Sequence, residues 1–457
     1  MDSSVQRAQS ARRERLTNPL PSGQRIEVLD VIRGIAVCGI LAVNIFVMGT
    51  IGATQGRTFP AEWNADWIAW ITQRVLLEGP MRGLFMVLFG AGMLLMLKSA
   101  DGPEGSATPI DAWARRCLAL LLFGVIHFLV LMWPGEILWT LGVAGLALLA
   151  FRTAKVRTLW IWALVIIACL SLHRAYDTST YVATYEAALH AERAKASGVA
   201  LTAEQQTSLD AAVSTKAANY PSEEAMAAEF AQRTQLPSLL SWSASGWSFR
   251  HLGVYSWIGV AESLAFMLVG MALFRSGFLT GERQARTYWQ ILVAAGAIGL
   301  SLRGADYAWQ ARTAFELDIH RLNPLMSWLR SGWYQPARLA LTLAYVAMIV
   351  LMVKGSWLAW KVPFSALGRM ALTNYTLQSI LTALLFYALG YLGAFGAAGL
   401  LAVAFAICVI TGVFSMIWLN HFSIGPLEWL LRRIAYGTLS GGKRGDGAAV
   451  PAQSPSL

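Results

Sequence analysis

Val31-Ile-Arg33-Gly-Ile-Ala-Val-Cys38-Gly-Ile-Leu-Ala-Val-Asn44-Ile-Phe-Val-Met-Gly-Thr-Ile-Gly-Ala53 is a run of 23 residues with one charge. A bilayer core about 30 Å thick is crossed by a helix of about 20 apolar residues. The run is long enough to span. It continues through Leu41–Val47 without a cleavage-like end, so it reads as a span and not as a removable signal. Comparable runs follow at 81–98, 117–134, 137–151, 158–173, 253–274, 288–303, 337–355, 371–392 and 396–419. The predicted fold is an all-α, polytopic transmembrane helix bundle of about ten spans, the fourth, fifth and seventh of them short.

Composition agrees. Of 457 residues, 56% are hydrophobic and 14% charged, with a mean hydropathy of +0.50. Soluble chains carry about 25% charged residues, so disorder, collagen and an ordinary soluble enzyme are excluded. The net charge of +10 points to cytoplasmic loops and anionic lipid, not to nucleic acid. Cys38, Cys117, Cys169 and Cys408 lie in apolar runs without ligand spacing. They read as small hydrophobes, and no metal site is expected.

The basic residues fall on every second connection. Arg7, Arg12, Arg13, Arg15 and Arg25 precede the first span. Arg115 and Arg116, then Arg152, Lys155 and Arg157, then Arg275, Arg283 and Arg286, then Lys354, Lys361 and Arg369, and finally Arg432, Arg433, Lys443 and Arg444 follow on the same side. The positive-inside rule places both termini in the cytoplasm, which an even span count allows. The expected organisation is a disordered tail over 1–24, a first transmembrane half over 25–173, an external polar insertion over 174–250, a second half over 251–436, and a tail over 437–457. The insertion is Ala-rich, and Thr202 followed by Gln205 is a capping-box spacing that predicts two or three polar helices there. It reads as a solvated cap or a lid. Trp309, Trp328, Trp333 and Tyr334, within Gly304–Pro336, read as an interfacial aromatic belt or a sugar-stacking surface.

Ionisable and amide side chains inside spans carry the functional information, because each costs roughly 2.5–3.5 kcal/mol to insert without a partner or a task. Asp30 and Arg33 share a helix face and can pair, with Asn44 about three turns further on. They form either an anchoring ion pair or an anion-binding entrance with Arg33 as the fork. His127 lies in the outer half of the third span and Glu136 at the turn after it. They are either packing residues or an acid–base pair. Glu262, eleven residues after His251, needs a buried partner, for which His127 is the economical choice. Arg369 with Thr373, and Asn374 with Gln378, are each four apart and predict a polar stripe on the ninth span. That stripe is either interhelical bonding or a binding face. Glu428 and Arg432 have the favourable i,i+4 order. Leu84–Leu95 faintly echoes Leu264–Phe274, with Gly90 and Gly270 in matching places.

Leu29-Asp30-Val-Ile-Arg33-Gly34, Leu88-Phe89-Gly90-Ala-Gly92, Gly124-Val-Ile-His127 with Gly135-Glu136-Ile-Leu, Gly270-Met-Ala-Leu-Phe-Arg275-Ser-Gly277, Gly368-Arg369-Met-Ala-Leu-Thr-Asn374-Tyr-Thr-Leu-Gln378-Ser and Gly425-Pro426-Leu-Glu428-Trp429-Leu-Leu-Arg432 stand in this order from about 25 to 436. The series resembles the YeiB-like family of bacterial membrane proteins, a domain of unknown function. Glu136 stands where that family usually has Asp. The family is similar to a wider group of transmembrane acyltransferases that includes heparan-glucosaminide acetyltransferase and bacterial sugar O-acyltransferases. The resemblance implies acyl transfer from cytoplasmic acyl-CoA, as co-substrate, to a small-molecule or glycan acceptor at the opposite face. The first-loop His of the heparan enzymes has no counterpart, because no His precedes His127. On this reading His127, Glu136 and Glu262 are catalytic. Asp30, Arg33, Asn44, Arg369, Asn374, Gln378, Glu428 and Arg432 are the binding residues. The alternatives are a small-metabolite transporter, for which Glu262, Asn44 and Gln378 would line a polar path, and a structural membrane partner. The oligomeric state is not readable.

Overall fold

The computed structural model describes residues 22–51, 64–98, 108–219, 221–253, 256–312, 324–355 and 361–437. Residues 1–21 and 438–457, the greater part of the two expected disordered tails, lie outside the described residues, as does 313–323 of the aromatic segment. Every element among the described residues is helical. In chain order the first are α1 (Ser22–Gly49), α2 (Ala65–Thr72), α3 (Pro80–Lys98), α4 (Pro109–Leu131), α5 (Leu138–Leu148) and α6 (Val156–Ala196). The insertion contributes α7 (Ala203–Asn219), α8 (Glu223–Thr234) and α9 (Leu236–His251). Then come α10 (Ser256–Arg275), α11 (Ala285–Arg312), α12 (Pro324–Gly332), α13 (Tyr334–Lys354), α14 (Lys361–Arg369), α15 (Ala371–Ala383), α16 (Ala397–His421) and α17 (Pro426–Tyr436).

Among the described residues, eight helical runs are long and apolar enough to cross a membrane: Glu27–Gly49, Ala65–Lys98, Pro109–Leu131, Val156–Ala196, Ser256–Arg275, Ala285–Ala308, Tyr334–Lys354 and Ala397–His421. The other two expected spans are the shorter α5 and α15. The chain is a polytopic all-α bundle. Leu118, Leu122, Ile126 and Leu129 on α4, and Val409, Val413 and Ile417 on α16, are exposed at helical spacing. Such apolar stripes suit a lipid-facing surface. Two boundaries differ from expectation. The fifth span continues to Ala196, because the Ala-rich sequence beyond residue 173 keeps high helix propensity where it leaves the membrane. The second span is preceded by α2 and a π turn, Gln73–Leu77.

The basic connections gather at one end, hereafter the basic face. Arg275 bonds the carbonyl of Arg152 at 2.5 Å and also that of Ala154, and Lys361 meets Glu27 at 3.1 Å. The insertion sits at the other end. Its capping box forms: Thr202 N–H donates to Gln205 Oε1 at 3.0 Å and Gln205 N–H to Thr202 Oγ1 at 3.2 Å. Arg233 of α8, only 1% exposed, clamps the insertion to the bundle. It donates to the carbonyls of Thr50 (2.6 Å) and Met48 (2.8 Å) and to Tyr387 Oη (3.1 Å). A cation on those carbonyls satisfies acceptors that a helix C-terminus leaves open.

Reciprocal glycine contacts fix two crossings. A Cβ on Gly90 would fall 2.0 Å from the Met267 carbonyl oxygen, and one on Gly270 would fall 1.9 Å from that of Val87. The two segments that echo each other in sequence thus pack face to face, α3 on α10. The pair Gly34 and Gly368 does the same for α1 and α14: their Cβ atoms would meet Phe364 O at 2.0 Å and Asp30 O at 1.8 Å. Gly270→Ala must push backbones apart and is expected to cost about 1–3 kcal/mol. Gly304→Ala, where a Cβ meets nothing within 4 Å, should be neutral or stabilising. Thermal unfolding of both variants in detergent checks this.

Candidate functional site

A cavity of about 430 Å³ opens at the basic face between α1, α3, α4, α5, α14, α15 and α17. Arg33, Arg116, Arg369 and Arg432 line its mouth, together with Glu428 and Tyr436. Its inner wall is Phe85, Leu88, Leu120, Leu138, Leu141 and Leu372. The α1–α14 crossing sets the neighbourhood of Arg33 and Arg369. Arg33 Nη1 pairs with Asp30 at 2.9 Å and reaches the Gly368 carbonyl at 3.3 Å, and Arg369 donates to the Ser423 carbonyl at 2.8 Å. Arg116 lies over the Phe89 ring at 5.9 Å, and its Nε is buried with no acceptor. It is close enough to Arg33 to be repelled by it. Such a gathering of like charge is unfavourable until an anion enters, and guanidinium forks suit phosphate oxygens.

Beyond the cavity's inner wall lies a buried polar layer. His127 Nε2 is 3.0 Å from Ser379 Oγ, and the imidazole stacks on Tyr375, centroids 4.9 Å apart at 18°. Ser379 Oγ is also 3.2 Å from the Tyr375 carbonyl. Glu136, 2% exposed, accepts from Leu138 N at 2.6 Å, Trp139 N at 3.1 Å and Trp247 Nε1 at 3.0 Å, and lies 3.4 Å from His251 Nε2. It therefore caps the N-terminus of α5 and ties the end of α9 to it. Gly124 lets that turn lie against α4, since a Cβ there would fall 2.8 Å from Glu136 Oε2. Burial pushes the Glu136 carboxyl above its usual range, against the bonds from Trp247, Trp139 and Leu138. Burial likewise pulls His251 down, against the carbonyls of Trp247 and Glu136 that its ring nitrogens face.

The layer continues to an arginine–glutamate–arginine group. Glu262 Oε2 meets Arg82 Nη2 at 3.3 Å and its other oxygen meets Arg338. Arg338, 1% exposed, also donates to the Gly79 carbonyl at 2.9 Å and lies over Phe266. Arg82 remains 37% exposed. The Tyr375 hydroxyl, Trp133 Nε1 and Gln378 Nε2 are buried without a completed hydrogen bond. Tyr375 Oη faces Trp133, Glu136 and Arg82 within this layer. Among the described residues no three His, Cys, Asp or Glu side chains converge as a metal site.

The expected site residues thus divide. Arg33, Arg369, Glu428 and Arg432 line the basic cavity, with Asp30 behind Arg33. His127 and Gln378 join the polar layer. Several pairings differ from expectation. The buried partners of Glu262 are Arg82 and Arg338, not His127, because a carboxylate among guanidinium groups is held by charge. Glu136 holds His251, while His127 turns to Ser379. Glu428 does not pair with Arg432. It accepts instead from Leu372 N (2.6 Å), Thr373 N (3.1 Å) and Thr373 Oγ1 (2.6 Å), capping α15, and Arg432 lies over Tyr436. Arg369 and Thr373 do not share one helix, because the chain breaks at Met370 (φ −115°, ψ 34°). Asn374, fully buried, is engaged by Leu367 O at 3.0 Å and Ser415 Oγ at 2.9 Å, which is α15–α16 packing. Asn44 is half-buried and lines no part of the basic cavity.

Sequence reasoning missed Arg82, Arg116, Arg338 and Ser379. Arg82 and Arg338 stand within the first turns of helices that begin at the insertion face, where the positive-inside rule disfavours them. That exception was the available signal.

Taken together, these elements define a polytopic helix bundle with a basic cavity at one face and a buried polar layer above it. The chain belongs to the YeiB-like family. The family model described as "Protein of unknown function (DUF418)" matches residues 273–438. The chain is 30% identical over 432 residues to the uncharacterized protein YxaH of Bacillus subtilis (strain 168), covering 92% of this chain and 96% of that one. It is 29% identical over 441 residues to the uncharacterized protein YeiB of Escherichia coli (strain K12), covering 90% and 96% respectively. An uncharacterized 39.9 kDa protein from the amylase 3' region of Bacillus acidopullulyticus is 24% identical over 439 residues, 92% of this chain and 96% of that one. No solved structure matches the chain significantly.

Proposed function

We propose that the protein is a transmembrane acyltransferase of a bacterial cytoplasmic membrane, with both termini in the cytoplasm. It takes an acyl group from cytoplasmic acyl-CoA and passes it to a hydroxyl or amine acceptor, a small molecule or glycan, at the opposite face. The observation that carries this reading is the basic cavity: four guanidinium groups at its mouth and an apolar wall inside. A donor with a polyanionic head and a long, mostly uncharged arm matches that polarity. The phosphates would sit among Arg33, Arg116, Arg369 and Arg432, and the pantetheine arm would run along Leu88, Leu120 and Leu372. Leu138, on the same wall, is the residue whose N–H binds Glu136, so the arm's end is directed at the polar layer. There His127, with an unprotonated ring nitrogen, would take the acceptor's proton.

Thermal shift of the purified protein with acyl-CoA of several chain lengths tests this. Saturable stabilisation is expected, and Arg33→Ala or Arg116→Ala should weaken it about ten- to a hundred-fold, as for loss of a charge-assisted hydrogen bond. No shift with any acyl-CoA would discard the donor, and uptake of small metabolites into proteoliposomes would then decide for transport.

A further inference from the structure

We propose that Ser379 is the nucleophile of a two-step transfer, carrying the acyl group as an ester between the two faces. The proposal rests on the acyl-CoA reading above. Its geometry is the 3.0 Å approach of His127 Nε2 to Ser379 Oγ. The hydroxyl hydrogen has two acceptors, the imidazole and the Tyr375 carbonyl at 3.2 Å. Turned to His127, it leaves an oxygen lone pair activated by an adjacent base, the arrangement nucleophilic serine requires. Stacking on Tyr375 holds the imidazole in place.

The surroundings suit a reacting carbonyl. Ser379 forms part of the wall of a cavity of about 10 Å³ with Met132, Trp133 and Tyr387, room for about one water-sized group. Trp133 lines that cavity; its buried Nε1 faces the Tyr375 hydroxyl without a completed hydrogen bond, and an incoming carbonyl oxygen would give it an acceptor. An N–H that can turn to an oxygen beside a nucleophile is an ingredient of oxyanion stabilisation. Position along the bundle agrees. Leu120 and Leu372 line the basic cavity. His127 and Ser379 stand seven residues further along the same two helices, about 10 Å nearer the insertion face.

In the first step Ser379 Oγ attacks the thioester carbonyl and its proton passes to His127 Nε2. The carbon–sulfur bond breaks, and the thiolate leaves with that proton as free CoA. In the second step His127 takes the proton of the acceptor hydroxyl or amine, whose oxygen or nitrogen attacks the ester. The bond between the acyl carbon and Ser379 Oγ breaks, and Oγ takes the proton back from His127. Donor and acceptor, arriving from opposite faces, then need not be bound together.

The test uses purified full-length protein in nanodiscs with radiolabelled acetyl-, octanoyl- and palmitoyl-CoA and no acceptor. Label should remain on the denatured polypeptide, map to the peptide containing Ser379, and fall at least ten-fold in S379A and H127A. S379C should keep label as a hydroxylamine-labile thioester, and it decides the matter alone if S379A loses its fold. Saturable acyl-CoA binding with no adduct, label at another residue, or unchanged CoA release by folded S379A would overturn the ester while leaving the donor reading intact. No stabilisation of the wild type by any acyl-CoA would overturn both.

Discussion

His127→Ala is expected to lower CoA release from acyl-CoA in proteoliposomes by about a hundred-fold or more, the contribution typical of a positioned general base. The fold should survive. His127 makes one side-chain hydrogen bond, to Ser379, and truncation leaves that hydroxyl its second acceptor, the Tyr375 carbonyl. No buried polar group is orphaned, and alanine favours the helix. The stability loss should be that of a stacked ring removed from a packed site. Acyl-CoA affinity should be unchanged, because the arginines that line the basic cavity lie toward the other end of the bundle. His127→Gln separates the roles further. It preserves a donor and much of the volume but supplies no base, so it should be as inactive as the alanine variant and more stable. Full retained turnover in either variant would remove His127 from the chemistry. Loss of turnover with collapse of thermal stability would make it a packing residue.

What the sequence made legible follows from the range of each interaction. The spans and the basic face are matters of composition, and the Asp30–Arg33 pair and the Thr202–Gln205 capping box are contacts within one turn, so composition or spacing encodes them directly. The α3–α10 crossing was half legible, because Gly90 and Gly270 occupy matching places in two similar stretches. The site's pairings were not. Glu262 finds Arg82 at a separation of 180 residues, and His127 finds Ser379 at 252. No local period carries such information. The i,i+4 rule then misled at Glu428, where a helix N-terminus from another segment offered two N–H groups and a hydroxyl at once. It misled again at Arg369, where a helix break after residue 369 removed the shared face.

Glu262→Ala is expected to destabilise the protein by about 3–5 kcal/mol, the usual effect of breaking a buried ion pair from one side. The two arginines do not suffer equally. Arg82 is 37% exposed and is the less buried of the two. Arg338 is 1% exposed and held by the Gly79 carbonyl and the Phe266 ring, so its charge would be stranded. Most of the loss should therefore arise at Arg338. The double variant Glu262→Ala with Arg338→Met should recover a large part of it, because it removes the stranded charge together with the carboxylate and keeps much of the volume. Thermal unfolding of the two single variants and the double variant, read as a double-mutant cycle, measures the coupling. A single variant as stable as the wild type, yet unable to release CoA, would instead make Glu262 a carboxylate kept for the reaction. Recovery of stability without activity in the double variant would separate the two roles: the triad would hold α3, α10 and α13 together, and its charges would serve the acceptor side of the layer.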